Sequence, residues 1–289
     1  MPSAIETPSI VFRNLEAIDE IKALEDLQIE AWGDAERDIV PLNQFVAARH
    51  VGGSLIGAFD AEKLVGFVYG FYGHIGGRIV HHSHMLAVSP GYRRHNLGFH
   101  LKAAQRERVL ADGLTDRMTW TFDPLQSLNA HFNFAKLGVV SDTYKINVYG
   151  EQGASFLHQN GTDRLFVTWL LNSPRVQSAV SGQHVPRHDL ADSRRSMPRL
   201  LRYSNSGNPE PDANIAAALT GSRFAAIDIP ADINAIEKAD FSLARKWREE
   251  TRRVFSHALS EGYGVVDYSV ENELSGYYIL EKAQLDELS

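Results

Sequence analysis

Val88-Ser89-Pro90-Gly91-Tyr92-Arg93-Arg94-His95-Asn96-Leu97-Gly98-Phe99-His100-Leu101 marks the place where a strand stops and a helix starts. Upstream, Val80–Val88 reads as a strand that Pro90 must end, because proline has no N–H to give to a ladder. Downstream, the apolar residues of 97–112 form two helical stripes, Leu97/Leu101/Ala104/Ala111 and Phe99/Ala103/Leu110. A helix apolar on two sides is sandwiched, here against a sheet, and Gly113 is placed to close it. Between strand and helix, successive backbone N–H groups and the positive helix end converge on one spot, a natural pyrophosphate site. Arg93, Arg94 and His95 add positive charge there. The bland alternative is an ordinary strand-to-helix turn with exposed basic residues, and a glycine-containing turn alone does not overrule it.

Working outward, Ile10–Asn14 reads as a short strand and Ala17–Trp32 as a helix, with Ile18, Ile21, Leu24, Leu27 and Ala31 at helical spacing. Ser54–Phe59 and Leu64–Phe71 form a hairpin, with Gly73–Gly77 as the tip leading into the next strand. Beyond the central helix come a strand Met118–Phe122, a short helix Asn129–Leu137 closed by Gly138, and strands Tyr144–Tyr149 and Leu165–Leu171. From Ser173 to Gly221 the chain turns rich in Ser, Pro, Arg and Asn with faint apolar periodicity, the composition of a linker or surface arm. Strand Arg223–Ile229, helix Phe241–Glu261 and strands Gly264–Val270 and Gly276–Leu280 then make a small β-α-β-β unit. The expected organisation is therefore 1–172, an arm at 173–221, and a small α/β unit at 222–289.

In that setting the chain resembles the GNAT superfamily of acyl-CoA N-acyltransferases. The family's Gln/Arg-x-x-Gly-x-Gly/Ala pattern falls on Arg93-Arg94-His95-Asn96-Leu97-Gly98, with Asn96 standing where the first glycine is usual. Asn is the non-glycine residue that best tolerates φ > 0, so the loop can form. Asn129-Ala130 and Lys136-Leu137-Gly138 match the family's Asn-to-Lys-x-Gly helix. Ser83-His84-Met85-Leu86, Gln105-Arg106-Glu107 and Trp120-Thr121-Phe122-Asp123-Pro124-Leu125 are similar to a little-characterised branch of predicted acetyltransferases, which points to amino acids among the acceptors.

The resemblance covers residues 10–172. It implies an α/β (α+β) fold with a mixed, mostly antiparallel sheet flanked by helices. In the smaller C-terminal β-α-β-β unit, Ile227-Asp228-Ile229-Pro230 echoes Leu86-Ala87-Val88-Ser89-Pro90 and Glu261-Gly262-Tyr263 echoes Leu137-Gly138-Val139. That is the pattern of a degenerate partial copy that packs on the first part, extends its sheet or shapes the acceptor pocket. It also implies acetyl-CoA or another acyl-CoA as cosubstrate. The backbone of Leu86, Ala87 and Val88 would pair with the pantetheine arm as an added strand. The amides of Arg93, Arg94, His95, Asn96, Leu97 and Gly98, with Phe99 beside them, would hold the pyrophosphate, and Asn129 or Asn133 would contact the arm near the thioester.

In this family the amine attacks the thioester directly, which suits a chain without cysteine. The usual donor is a tyrosine four residues before the helix-ending glycine; here that position is Phe134, and Tyr144 or Tyr149 are substitutes, each also readable as a buried hydroxyl. His82 and His84 share one strand face while His81 and Ser83 share the other. His84 could accept the amine proton, and Asp123 is the other candidate base, or else a strand-ending turn residue. His82 and His84 could ligate a metal, but with no obvious third ligand no metal site is expected. Trp32 and Phe45 would wall the acceptor pocket. Arg245, Lys246, Arg248, Arg252 and Arg253 read as a solvated face paired with Glu249 and Glu250.

Composition sets the outer limits. Of 289 residues 44% are apolar and 22% charged, the balance of a globular protein. The absence of cysteine excludes disulfides, thiolate metal sites and cysteine acyl-enzymes. A net charge of −7 argues against a broad nucleic-acid or anionic-membrane surface. Leu64–Phe71 is far shorter than the ~20 apolar residues that span a bilayer, and residues 1–10 carry no basic leader. The expectation is a cytoplasmic N-acyltransferase acting on a small-molecule amine or amino acid, with a homodimer compatible. The rival is a non-catalytic acyl-CoA-binding or sensing protein.

Overall fold

Strands that are buried on both faces lose the apolar-polar alternation of half-buried ones, and Ser54–Asp60 is such a run, buried along nearly its whole length. The computed structural model describes residues 9–33, 39–150, 160–182 and 196–287, and the chain divides into two compact units, 1–118 and 119–289.

The first unit runs β1 (Ile10–Asn14), α1 (Ile18–Trp32), α2 (Leu42–His50), β2 (Ser54–Asp60), β3 (Lys63–Ile75), β4 (Arg78–Val88) and, after a 3-10 turn at Pro90–His95, α3 (Leu97–Asp112). The strands lie in the order β1-β2-β3-β4, each antiparallel to the next. On one face α1 and α2 cover Leu55, Phe59, Phe67 and Tyr69 with Ile21, Leu24, Leu27 and Phe45. On the other, α3 sets Leu97 and Leu101 against Ile56, Ala58, Val65 and Val68. Helix α2 is absent from the sequence expectation because it is short and buries only Phe45 and Ala48. The β3–β4 hairpin is longer than expected: both strands continue to a turn at Gly76-Gly77, whose φ values of +56° and +82° favour glycine.

The register of β3 on β4 skips one residue. Tyr69 faces Met85, but its neighbour Gly70 faces Ser83, so His84 is the extra residue of a β-bulge. The bulge inverts the alternation of faces. Ser83 lies on the α3 side, and beyond the bulge Leu86 and Val88 pack there too, while Met85 and Ala87 turn to the α1/α2 core.

The second unit contains β5 (Arg117–Phe122, whose first two residues precede the boundary), α4 (Ser127–Ala130) running into a π-helical turn at His131–Lys136, β6 (Val140–Lys145) and β7 (Arg164–Leu170). It continues with α5 (Pro174–Val180), β8 (Arg199–Tyr203), β9 (Pro209–Pro211), α6 (Ile215–Leu219), β10 (Phe224–Pro230), α7 (Ile233–Ala239), α8 (Phe241–Ser260), β11 (Tyr263–Val270) and β12 (Ser275–Lys282). Strand order is β5-β7-β6-β11-β12-β10-β8-β9. The strand expected at Tyr144–Tyr149 lies four residues earlier, because Asn147 turns left-handed (φ +47°) and breaks the ladder. The small C-terminal unit joins the sheet where Val265 of β11 faces Ser141 of β6. Within it, β12 lies between β10 and β11, antiparallel to both. The stretch read as an arm carries elements among its described residues: β8 pairs parallel with β10, burying Leu200 and Leu201.

Candidate functional site

The strand-to-helix connection of the first unit is braced from three sides. Ser89 Oγ donates to Glu30 Oε1 at 2.5 Å, Tyr92 Oη to Asp60 Oδ2 at 2.6 Å, and Arg93 reaches the Ala31 carbonyl at the end of α1 at 2.7 Å. The side chain of Arg93 is thereby committed to α1, leaving its backbone to the loop. Asn96 takes φ +56°, ψ +21°, the left-handed conformation that the pattern reserves for glycine. Its carbonyl accepts from the amides of Phe99 and His100. The amides of Leu97 and Gly98 lead the helix and have no intrahelical acceptor by construction. With Arg94 exposed and the rings of Tyr92 and His95 6.1 Å apart, the connection has the form of an anion cradle at a helix start.

Beside it, the bulge presents His84. Its ring sits 6.0 Å from Tyr69, 5.9 Å from Phe71 and 6.3 Å from His82. The residue is exposed at the surface, yet burial of its ring against these aromatic groups holds its pKa below that of a free histidine. A neutral imidazole at pH 7 is what a proton acceptor requires. The backbone of Leu86, Ala87 and Val88 pairs on one side with Val68, Phe67 and Gly66. Phe45, expected as a pocket wall, is instead fully buried against Phe67 and Tyr69, and Trp32 packs edge-on to Phe67.

Under the bulge lies a polar chain that sequence reasoning missed. Lys102 Nζ donates to Ser83 Oγ at 2.9 Å, Ser83 to Gln105 Oε1 at 2.8 Å, and Gln105 Nε2 to Ser54 Oγ at 2.9 Å. Ser54 Oγ and His81 Nε2 are 3.1 Å apart. Lys102 is 2% exposed, and burial pushes its amine well below the usual lysine range. Burial, then the nearby Lys102, lowers His81 to about 3. Gly70 opposite has no room for a side chain: a Cβ there would lie 2.4 Å from the His81 ring. The one available signal was the placement of Lys102 between the apolar positions Leu101 and Ala104, where a lysine is out of pattern.

In the second unit, the candidate residues are engaged structurally. Asp123 takes a bidentate ion pair from Arg248 at 2.8 and 2.6 Å, and its Oδ1 also accepts from the Leu125 amide in a strand-ending turn. Arg248 is buried and also donates to the Asn160 carbonyl at 2.9 Å; burial opposes its charge, but Asp123 more than offsets this and raises its pKa. Tyr144 Oη donates to Asp163 Oδ2 at 2.8 Å, and burial together with Asp163 pushes its phenol well above the ordinary range. Asp163 is in turn held by Arg252. The arginine face of α8 is therefore split: Arg245 and Arg253 pair with Glu249 and Glu250 as expected, while Arg248 and Arg252 point inward to Asp123 and Asp163. Asn133 is buried and accepts from the Trp120 indole at 3.1 Å, whereas Asn129 is exposed. Phe134 is a core residue between Phe122 and Tyr278. Among the described residues there is no group of three or more His, Cys, Asp or Glu that could hold a metal, and no helix is long and apolar enough to cross a membrane.

A strand therefore ends in a left-handed turn whose amides open a helix, and comparison with known proteins falls on the same stretch. Residues 16–139 match the profile of the Acetyltransferase (GNAT) family. That stretch, under half of the chain, is similar to the GNAT acetyltransferases. Similar solved structures include the ribosomal-protein-S18-alanine N-acetyltransferase from Escherichia coli, at 14% identity and TM-score 0.45, covering 57% of this chain and 95% of that one. Ard1 from Thermoplasma volcanium is 14% identical, TM-score 0.45, over 55% of this chain and 96% of its own. Aminoglycoside 6'-acetyltransferase type Ii is 17% identical, TM-score 0.44, over 56% and 98%. No curated protein sequence matches the chain.

Proposed function

We propose that the chain transfers an acyl group from acetyl-CoA or another acyl-CoA to the amine of a small molecule or amino acid, by direct attack in a ternary complex. The observation that carries this reading is the left-handed Asn96 at the start of α3, directly after a strand whose bulge presents His84. The pyrophosphate rests on the amides of 93–98, with Arg94 supplying charge and the His95 ring beside it. The pantetheine arm runs along the backbone of Leu86–Val88 as an added strand. The amine lone pair attacks the thioester carbonyl; its C–N bond forms and the C–S bond breaks. The backbone N–H groups of Met85–Ala87 steady the oxyanion. His84 takes the amine proton, directly or through one water, and the departing thiolate takes a proton from solvent. Asp123 and Tyr144, each holding a buried partner, are read as structural groups. His84→Ala is expected to abolish turnover while leaving acyl-CoA binding in place; undiminished turnover overturns the assignment.

One observation favours a second reading, a non-catalytic acyl-CoA-binding or sensing protein: Phe134, at the position of the usual family donor, is fully buried in the core. Thiol release from acetyl- and succinyl-CoA across a panel of amines separates the two.

A further inference from the structure

A lysine sealed between a helix and a sheet is costly, and replacing such a group with an apolar side chain of similar shape is often neutral or stabilising. Lys102 thus calls for a role besides stability. Its amine is tied to Ser83, the residue immediately before the bulge, and the chain through Gln105 and Ser54 ends on His81, two residues further back. Both residues that point toward α3 on this part of β4 are therefore pinned by side-chain bonds, and the slack in the register falls on His84. Opposite Ser83 the backbone of β3 approaches so closely that only glycine fits: any Cβ at Gly70 would strike His81, the His82 carbonyl and Gln105. Lys102 and Gln105 also belong to the helix whose first turn forms the cradle, so one rigid element sets both the cofactor loop and the bulge.

We propose that Lys102 is a positioning residue, which through Ser83 holds the β4 bulge in the register that aims His84. The proposal rests on the acyltransfer reading for its kinetic consequence, but not for its structural one. The titratable rings facing His84 among the described residues are Tyr69 on β3 and His82 on β4, so its titration reports its place among them.

The test uses the full chain with Lys102→Met, Ser83→Ala and Ser83→Thr. Three readouts are taken: thermal unfolding, kcat and KM for acetyl-CoA, and the NMR titration of the His84 ring. For Lys102→Met the expected result is an unfolding temperature at or above wild type and a KM within about twofold. Its kcat should fall about 10- to 100-fold, the cost of misplacing a catalytic group by about 1 Å, and the His84 midpoint should rise toward that of a free histidine. Ser83→Ala should reproduce the fall in kcat and the shift of the His84 midpoint, but at a lower unfolding temperature because it removes the hydroxyl that Lys102 and Gln105 share. Ser83→Thr, which restores the hydroxyl, should recover kcat. Wild-type kcat and an unmoved His84 titration in both Lys102→Met and Ser83→Ala overturn the proposal. If Lys102→Met does not fold, Ser83→Ala, which removes a single oxygen, decides alone. If wild type itself transfers no acyl group, the proposed function fails, and the His84 titration in Ser83→Ala still decides the positioning role.

Discussion

Replacing Asp123 with Asn keeps the shape of the side chain and removes its charge, which separates the two roles open to this residue. The guanidinium it holds is 5% exposed, and two of its bonds, at 2.8 and 2.6 Å, go to the Asp123 carboxylate. Among the described residues its other hydrogen bond goes to the neutral carbonyl of Asn160, with the Asp163 carboxylate acting on it as a further charge. Breaking a buried pair by removing one charge costs about 3–5 kcal/mol, because the partner is left as an uncompensated buried ion. Asn retains one acceptor oxygen and Asp123 itself is 21% exposed, so about 3 kcal/mol is the reasonable figure. For a domain of 150–250 residues that corresponds to roughly 6–12 °C in Tm. Arg248→Met strands a carboxylate with access to water and should cost less. The double variant should cost less than the sum of the two, with a coupling of about 1–3 kcal/mol. Thermal and urea unfolding followed by circular dichroism read these quantities directly. An Asp123→Asn protein that melts within a degree of wild type and has lost turnover would refute the anchor and restore Asp123 as a catalytic carboxylate.

Asn96→Gly should leave acetyl-CoA affinity and stability near wild type, whereas Asn96→Ala, a poor fit at φ +56°, should lose about 1 kcal/mol and weaken acetyl-CoA binding, both readable by calorimetry. Gly70→Ala should cost about 1–3 kcal/mol in urea unfolding, since its Cβ meets the His81 ring and backbone at 2.4–2.7 Å. His81 is neutral in the fold down to about pH 3 but protonates near 6.5 when unfolded, so the unfolded chain binds the extra proton between those values. Stability should therefore fall as pH drops through that window, by up to about 1.4 kcal/mol per pH unit, and His81→Gln should flatten the limb in acid unfolding. With His84 as the base, kcat/KM should drop on the acid side with an inflection below the ordinary histidine value, because burial lowers its pKa.

Local chemistry explains which features were legible. The strand–Pro–helix connection could be read because Pro90 stops a ladder, Asn96 accepts a left-handed turn and Leu97–Asp112 keeps helical periodicity to Gly113. Helix α2 could not, since two buried residues in nine make no stripe. The bulge at His84 was invisible because it is a matter of register between two strands, and no single-strand pattern records it. Arg248 and Arg252 read as solvated because a basic helix face looks the same whether its acids lie four residues away or, like Asp123 and Asp163, more than eighty. The polar stretch after Ser173 concealed β8 because a strand of five residues, Arg199–Tyr203, buries only Leu200 and Leu201.

On the proposed function, the cradle and the bulged histidine act together in acyl transfer from CoA. Purified chain is incubated with acetyl-CoA and, in parallel, succinyl-CoA, across a panel of amino acids and small amines, and free thiol is followed with time. Amine-dependent thiol release that saturates in both substrates, with the acylated amine recovered in equal amount, is the predicted result. Tight acyl-CoA binding with thiol release no faster than hydrolysis, whatever amine is added, would contradict it and leave a binding protein in its place.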